Sequence, residues 1–166
     1  MGNTQKLEDI ENLDNDITVA IVNITIFAQN YYFIWFDFDS FLLNGDKMLV
    51  FRSSDDAQNY CIHEYNQKIE VWNLNFDEII FSDCSLFLDR WNVVGDIAKT
   101  LNLDFIGNHD DYTYLYSKFV YGSNIPALNT SGKKYIPTFD EEEKQQIENI
   151  SKDMIRILKF ALEIED

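Results

Sequence analysis

Apolar residues follow two different periods along this chain, and the change of period falls near its middle. Residues 17–27, Ile-Thr-Val-Ala-Ile-Val-Asn-Ile-Thr-Ile-Phe, are dense in β-branched types and read as a strand. Apolar side chains occupy both of its faces, the pattern of a strand covered on both sides. Tyr31 to Phe38 predicts a second strand of the same kind. Asn44-Gly45 lies between Phe41-Leu42-Leu43 and Met48-Leu49-Val50-Phe51. It predicts a tight hairpin turn, because both residues tolerate positive φ. The opening half therefore reads as an antiparallel meander, with two further short strands at Ile69 to Leu74 and Glu78 to Phe81.

Helical spacing appears first after Ser53 and dominates beyond Ser82. Ser53-Ser54-Asp55-Asp56 predicts a helix start, a hydroxyl cap followed by acids near the positive end of the dipole, with a helix running to about Tyr65. Ser82 is a candidate cap for a longer helix to about Leu101. There Phe87, Trp91, Val94, Ala98 and Leu101 share one face by their three-four spacing, and Gly95 permits close packing at about 1 kcal/mol relative to Ala. Asp110 to Tyr121 predicts a tyrosine-rich third helix. Residues 122–138, with Gly122, Pro126, Gly132 and Pro137, form a loop long enough either to pack on the surface or to contribute to binding. Thr138-Phe139-Asp140-Glu141 fits a capping box. It opens a last helix with Ile147, Ile150, Met154, Ile157 and Ala161 on one stripe, widened by Leu158 and Leu162. Strands early and helices late predict an α+β fold, an antiparallel sheet with helices packed on it. At 166 residues one domain is expected over 1–166, with 1–16 a mobile or short helical arm.

Charge changes what such a fold is expected to do. The chain carries 13 Lys+Arg against 29 Asp+Glu, a formal net charge of -16. Phosphate backbones and anionic headgroups repel such a surface, so neither direct nucleic-acid nor membrane binding is expected, and a basic protein is the natural complement. The longest apolar stretch is too short to span a bilayer as a helix, and residues 1–6 lack the apolar core of a signal peptide. Cys61 and Cys84 sit among apolar neighbours in predicted helices and read as reduced, buried thiols. Together these features predict a cytoplasmic protein.

Chemistry-bearing patterns are sparse. His63 and His109 lack the spacing to Cys61 and Cys84 that zinc requires, so no metal is expected. There is no Gly-rich phosphate loop and no nucleophile elbow, so no cofactor is expected either. The string Phe36-Asp37-Phe38-Asp39-Ser40-Phe41-Leu42-Leu43 resembles the nucleophile motif of haloacid-dehalogenase-like phosphatases. That resemblance implies a Mg²⁺-dependent enzyme, with Asp37 attacking phosphorus and Asp39 as acid/base. Carboxylates two apart on a strand end point the same way, and hard oxygen ligands suit Mg²⁺. Ile79-Ile80-Phe81-Ser82, Lys99 and Gly107-Asn108-His109-Asp110-Asp111 offer partial matches to the later motifs. Phe41 replaces the family's Thr, however, and the repeated strand–helix alternation is missing.

A second resemblance covers most of the chain beyond the first strand. It rests on Trp35-Phe36-Asp37-Phe38-Asp39-Ser40-Phe41, the helix start from Ser53 to Cys61, and Asp89-Arg90-Trp91-Asn92 followed by Asp96-Ile97-Ala98. Tyr116-Ser117-Lys118-Phe119, Gly122-Ser123-Asn124-Ile125-Pro126 and Tyr135-Ile136-Pro137 complete it. With these strings the chain resembles the immunity proteins of bacterial polymorphic toxin systems, including contact-dependent growth inhibition. The resemblance implies a small non-enzymatic α+β protein that binds one cognate toxin domain, a basic nuclease being the expected kind. It blocks the toxin's active site or an adjacent surface. Acids and aromatics interleave at Asp110, Asp111, Tyr112 and Tyr114, which makes these four the candidate toxin-binding residues.

Overall fold

The computed structural model describes residues 18–78 and 81–165. It divides into two compact units, one ending at Asn73 and the other beginning at Leu74. The architecture is α+β. The arm expected over 1–16 and the first residue of the predicted opening strand lie outside the described residues.

The first unit is built on a sheet. β1 (Val19–Ile26) and β2 (Gln29–Phe36) pair antiparallel along their whole length, Val19 opposite Phe36 through Ile26 opposite Gln29. β3 (Ser40–Phe41) pairs antiparallel on the outer side of β2. β6 (Val71–Asn75), at whose third residue the first unit ends, lies beside β1, giving the order β3-β2-β1-β6. The dense apolar content of β1 is matched by its burial: Ala20, Ile21, Val22, Ile24 and Ile26 are all buried. Alternation sends Ile21 and its partner Ile34 to one face, where Ala57, Cys61 and Ile69 close a small core. Ala57 and Cys61 come from α1 (Ser54–Tyr65). This helix starts where the hydroxyl cap predicts, the Ser53 side chain accepting from the Asp56 N–H at 3.1 Å. It ends on Asn66 in the left-handed region.

The two hairpin turns depart from the sequence reading in an informative way. The Asn44-Gly45 signal does produce a hairpin, β4 (Leu43–Asn44) with β5 (Lys47–Met48), but Asn44 is itself paired, opposite Lys47. The turn is therefore Gly45-Asp46, one residue later, and of that pair only Gly45 has positive φ, at 70°. Meanwhile β1 and β2 are joined by Phe27-Ala28, both at positive φ (51° and 58°). A two-residue turn of this kind favours Asn-Gly, since L-residues with larger side chains cost about 1–2 kcal/mol each in that region. Replacing Phe27-Ala28 by Asn-Gly is expected to stabilise the protein by about 1–2 kcal/mol, read as a higher urea midpoint at unchanged slope. A lower midpoint would show that the exposed Phe27 ring contributes more than the turn strain costs.

The second unit is helical. α2 (Cys84–Thr100) is capped by Asp83, not by Ser82; the Asp83 carboxylate accepts from the Leu86 N–H at 3.1 Å. The predicted stripe holds, with Phe87, Trp91, Val94 and Ala98 buried and Leu101 half-buried at the C-cap. Arg90 is also buried, clamped by Nε to the Asn75 carbonyl (2.9 Å) and by a second guanidinium nitrogen to the Glu78 carbonyl (3.0 Å). Residues 79–80 of the strand predicted at Glu78 to Phe81 are outside the described residues, and its two ends are bend and turn. The single predicted helix from Asp110 to Tyr121 is two pieces, a 3-10 turn Asp110–Tyr112 and α3 (Thr113–Gly122). Gly122 is required there by close approach, because a Cβ would meet Cys84 Sγ at 2.6 Å and Pro137 Cγ at 2.9 Å. α4 (Glu141–Ala161) does open with a capping box, but two residues later than the Thr138 signal: Asp140 caps, and Glu143 returns the bond. Its stripe Ile147, Ile150, Met154, Ile157, Leu158 and Ala161 is buried throughout.

Candidate functional site

The four candidate residues sit at the end of a chain of buried anchors. α2 supplies Trp91, whose ring meets Phe87 (6.0 Å), Phe119 (6.0 Å) and Tyr116 (5.3 Å) edge-on. Its indole N–H donates to the Gly107 carbonyl at 3.0 Å. Gly107 belongs to the 3-10 turn Ile106–Asn108, and that turn is held from two more sides. The Asp153 carboxylate on α4 accepts from the Ile106 N–H (2.9 Å), and Asn108 donates its amide to the Gly95 carbonyl (3.3 Å). The close packing allowed by Gly95 is real: a Cβ there would lie 2.8 Å from Asn108 Oδ1. Phe105, fully buried, anchors the entry to the turn.

From this base the chain passes His109 and enters Asp110–Tyr112. Asp110 and Asp111 are exposed and make no ion pair with any described residue. Their carboxylates precede α3, where the helix dipole favours negative charge. Tyr112 is half-buried, and Tyr114 is 71% exposed. The tyrosine-rich segment is thus divided: Leu115 and Phe119 are core, and Tyr116 is half-buried with its hydroxyl donating to Asn92 Oδ1 at 2.7 Å. Tyr114 and Tyr121 face solvent.

His109 gives this surface a pH dependence. Its Nε2 lies against the Asp104 carboxylate, and that hydrogen bond, helped by the charges of Asp104, Asp111 and Asp153, raises its pKa above the ordinary 6.5. A raised folded-state value means that the pair's contribution to stability is fully present below the unfolded pKa. It is lost as pH rises through the folded one. An NMR titration of the His109 ring should give a midpoint above 6.5, falling towards 6.5 in Asp104→Asn. A wild-type midpoint at or below 6.5 would contradict the pairing. Deprotonation also removes a cation beside Asp110 and Asp111, so the local field there is more negative above the midpoint.

Asp37 and Asp39 are placed differently from the strand-end geometry read from the sequence. They belong to a three-residue hairpin loop between β2 and β3, with Asp37 and Phe38 in the left-handed region (φ 55° and 50°). Both carboxylates are on exposed residues. The Phe38 ring between them packs on Trp35 (4.8 Å) and Trp72 (5.6 Å). Ser82, Lys99, Asp110 and Asp111, the partial matches to the later motifs, belong to the second unit. Among the described residues no group of three or more His, Cys, Asp or Glu converges to hold a metal ion. Cys61 and Cys84 are free and buried, and burial pushes the Cys61 thiol up to about 11, far from a reactive thiolate. No described helix is long and apolar enough to cross a membrane.

Sequence reasoning passed over one feature of the second unit, an open groove of about 730 Å³ between α3 and the following loop, walled by Tyr114, Tyr121, Leu128, Lys133, Lys134 and Tyr135. Lys133-Lys134 is the only adjacent pair of basic residues in the chain, a legible signal that the net charge of -16 concealed. Compared with family models, curated proteins and solved structures, the chain matches none of them.

Proposed function

We propose that the chain is a non-enzymatic immunity protein that binds and neutralises a cognate basic toxin domain, a nuclease, in the bacterial cytoplasm. The observation that carries this reading is the pair Asp110-Asp111. Two adjacent exposed carboxylates without an ion-pair partner follow closely on the Ile106–Asn108 turn, which Trp91, Asp153 and Gly95 hold, and precede the exposed Tyr114 at the start of α3. Backbone held just before them lowers the ordering cost when these anionic groups meet a cationic surface. A nuclease presents Lys and Arg where it grips phosphate, and carboxylates over those groups block substrate while speeding encounter. Tyrosine adds contact area at small entropic cost. The two free, buried cysteines fit a reducing compartment.

The experiment is co-expression with the toxin whose gene directly precedes this one. Wild-type protein should restore growth, and Asp110→Lys/Asp111→Lys should fail to do so while remaining folded. Absence of a neighbouring toxin gene, or protection unchanged by the charge reversal, would count against the reading and the site respectively. Phosphatase turnover that depends on Mg²⁺ and is abolished by Asp37→Asn would replace it with the enzymatic alternative.

A further inference from the structure

The groove beside α3 has the opposite sign from the rest of the molecule. Lys133 and Lys134 are exposed, and neither makes an ion pair with a described residue. The third lysine at the groove, Lys118, is already committed. Its ammonium donates to both Glu143 carboxylate oxygens (2.8 and 3.0 Å) and to the Thr138 carbonyl (2.7 Å). Two cations are therefore available on a chain that otherwise presents excess carboxylate.

The wall that carries them is built, not loose. Asn124, at φ 54°, bridges the loop as a strand residue would: its Oδ1 accepts from the Tyr135 N–H (2.7 Å) and its Nδ2 donates to the Tyr135 carbonyl (3.0 Å). Asn129 donates to the Lys133 carbonyl (2.7 Å) and to Asn124 Oδ1 (2.8 Å). Ser131 Oγ accepts from the Lys133 N–H at 3.2 Å, and Gly132 takes the positive φ of 75° that this turn needs. Backbone on both sides of Lys134 is thus held before any ligand arrives, the condition under which binding costs least. The groove walls also expose Tyr114, Tyr121, Leu128 and Tyr135. An aromatic and apolar groove lining of this kind suits a protein-binding site.

We propose that this groove binds an acidic peptide segment of a partner protein. Carboxylates of the segment meet Lys133 and Lys134, and an apolar side chain rests against Tyr121 and Leu128. The trough is open along its side, which suits an extended segment better than a small ligand, whose pocket ordinarily buries most of its surface. Lysine offers point charges without the planar fork that selects phosphate. The inference uses charges of the opposite sign from the toxin reading, which sets Asp110 and Asp111 against a basic partner; Tyr114 alone is common to both.

Fluorescence polarisation with a dye-labelled peptide rich in Asp and Glu and carrying Leu and Phe tests it on the full chain. Saturable binding is expected, weakened at least tenfold by Lys133→Glu/Lys134→Glu and again by Tyr121→Ala, with the melting temperature of the lysine variant unchanged. Asp110→Lys/Asp111→Lys should leave this affinity equal or higher, although it weakens a basic partner. No saturable binding, equal binding of a Lys-rich control peptide, or displacement of the probe by millimolar inorganic phosphate or ATP would each overturn the proposal.

Discussion

Trp91→Ala is expected to destabilise the protein by about 3–5 kcal/mol, the range for deleting a large aromatic from a closed core. Trp91 is 2% exposed, and its ring is bounded by Phe87, Phe119 and Tyr116 at centroid distances of 5.3–6.0 Å. Those neighbours come from α2 and α3, both fixed by their own burial, so little collapse into the void is available. The loss also orphans the Gly107 carbonyl, which accepts from the indole N–H. Trp91→Phe separates the two contributions, since it retains most of the packing but not the donor; about 1–3 kcal/mol is expected from it. Domains are commonly stable by only about 5–15 kcal/mol, so the alanine variant should show a large drop in urea midpoint. Far-UV circular dichroism is the appropriate probe, because the remaining tryptophans, Trp35 and Trp72, lie in the first unit. A loss under about 1 kcal/mol for Trp91→Ala would show that neither the core nor the 3-10 turn Ile106–Asn108 depends on this ring.

The second large effect concerns binding. Under the proposed function, Asp110→Lys/Asp111→Lys should raise the dissociation constant for the cognate toxin domain at least a hundredfold, about 2.7 kcal/mol. Close charge pairs across an inhibitor interface couple by about 1.5–7 kcal/mol, so reversing two carboxylates reaches that figure even when each pair is partly solvated. Association should slow and lose much of its salt dependence, since steering by these groups becomes repulsion. Stability should change little. Both side chains are exposed and without ion-pair partners, and the small helix-dipole benefit of acids at this end is about 0.3–1 kcal/mol. The control is Asp46→Lys/Glu165→Lys, which changes net charge equally at two exposed positions elsewhere. Equal weakening by the control would reduce the effect to net charge and remove Asp110 and Asp111 as a site.

The pH behaviour of His109 bears on the same measurement. Its pairing with Asp104 keeps a cation next to Asp110 and Asp111 below the folded-state midpoint, above 6.5. Association with a basic partner should therefore quicken as pH rises through that midpoint. Asp104→Asn should move the transition to lower pH, because the raising influence is removed.

What the sequence determined by itself was periodicity and the order of elements. β1 and β2, α1, the buried stripes of α2 and α4, and the turn near Gly45 were all legible, because each rests on spacing within a few residues or on one backbone preference. Free, buried Cys61 and Cys84 were legible for the same reason. The caps of α2 and α4 were misplaced by one and two residues, at Asp83 and Asp140, because several neighbouring residues qualify as caps and only the packed helix selects among them. Tertiary structure alone decided the Phe27-Ala28 turn, where full-length register between β1 and β2 overrides local preference. It also divided one predicted helix into a 3-10 turn and α3, and set before it the 3-10 turn of residues 106–108, on which Trp91, Gly95 and Asp153 converge from distant positions. The cation-lined groove beside α3 is likewise a product of folding, its wall held by Asn124 against Tyr135 and by Asn129 against Lys133. Local spacing carries no information about which residues 13 to 47 positions apart will meet, so these features appear only once the chain has folded.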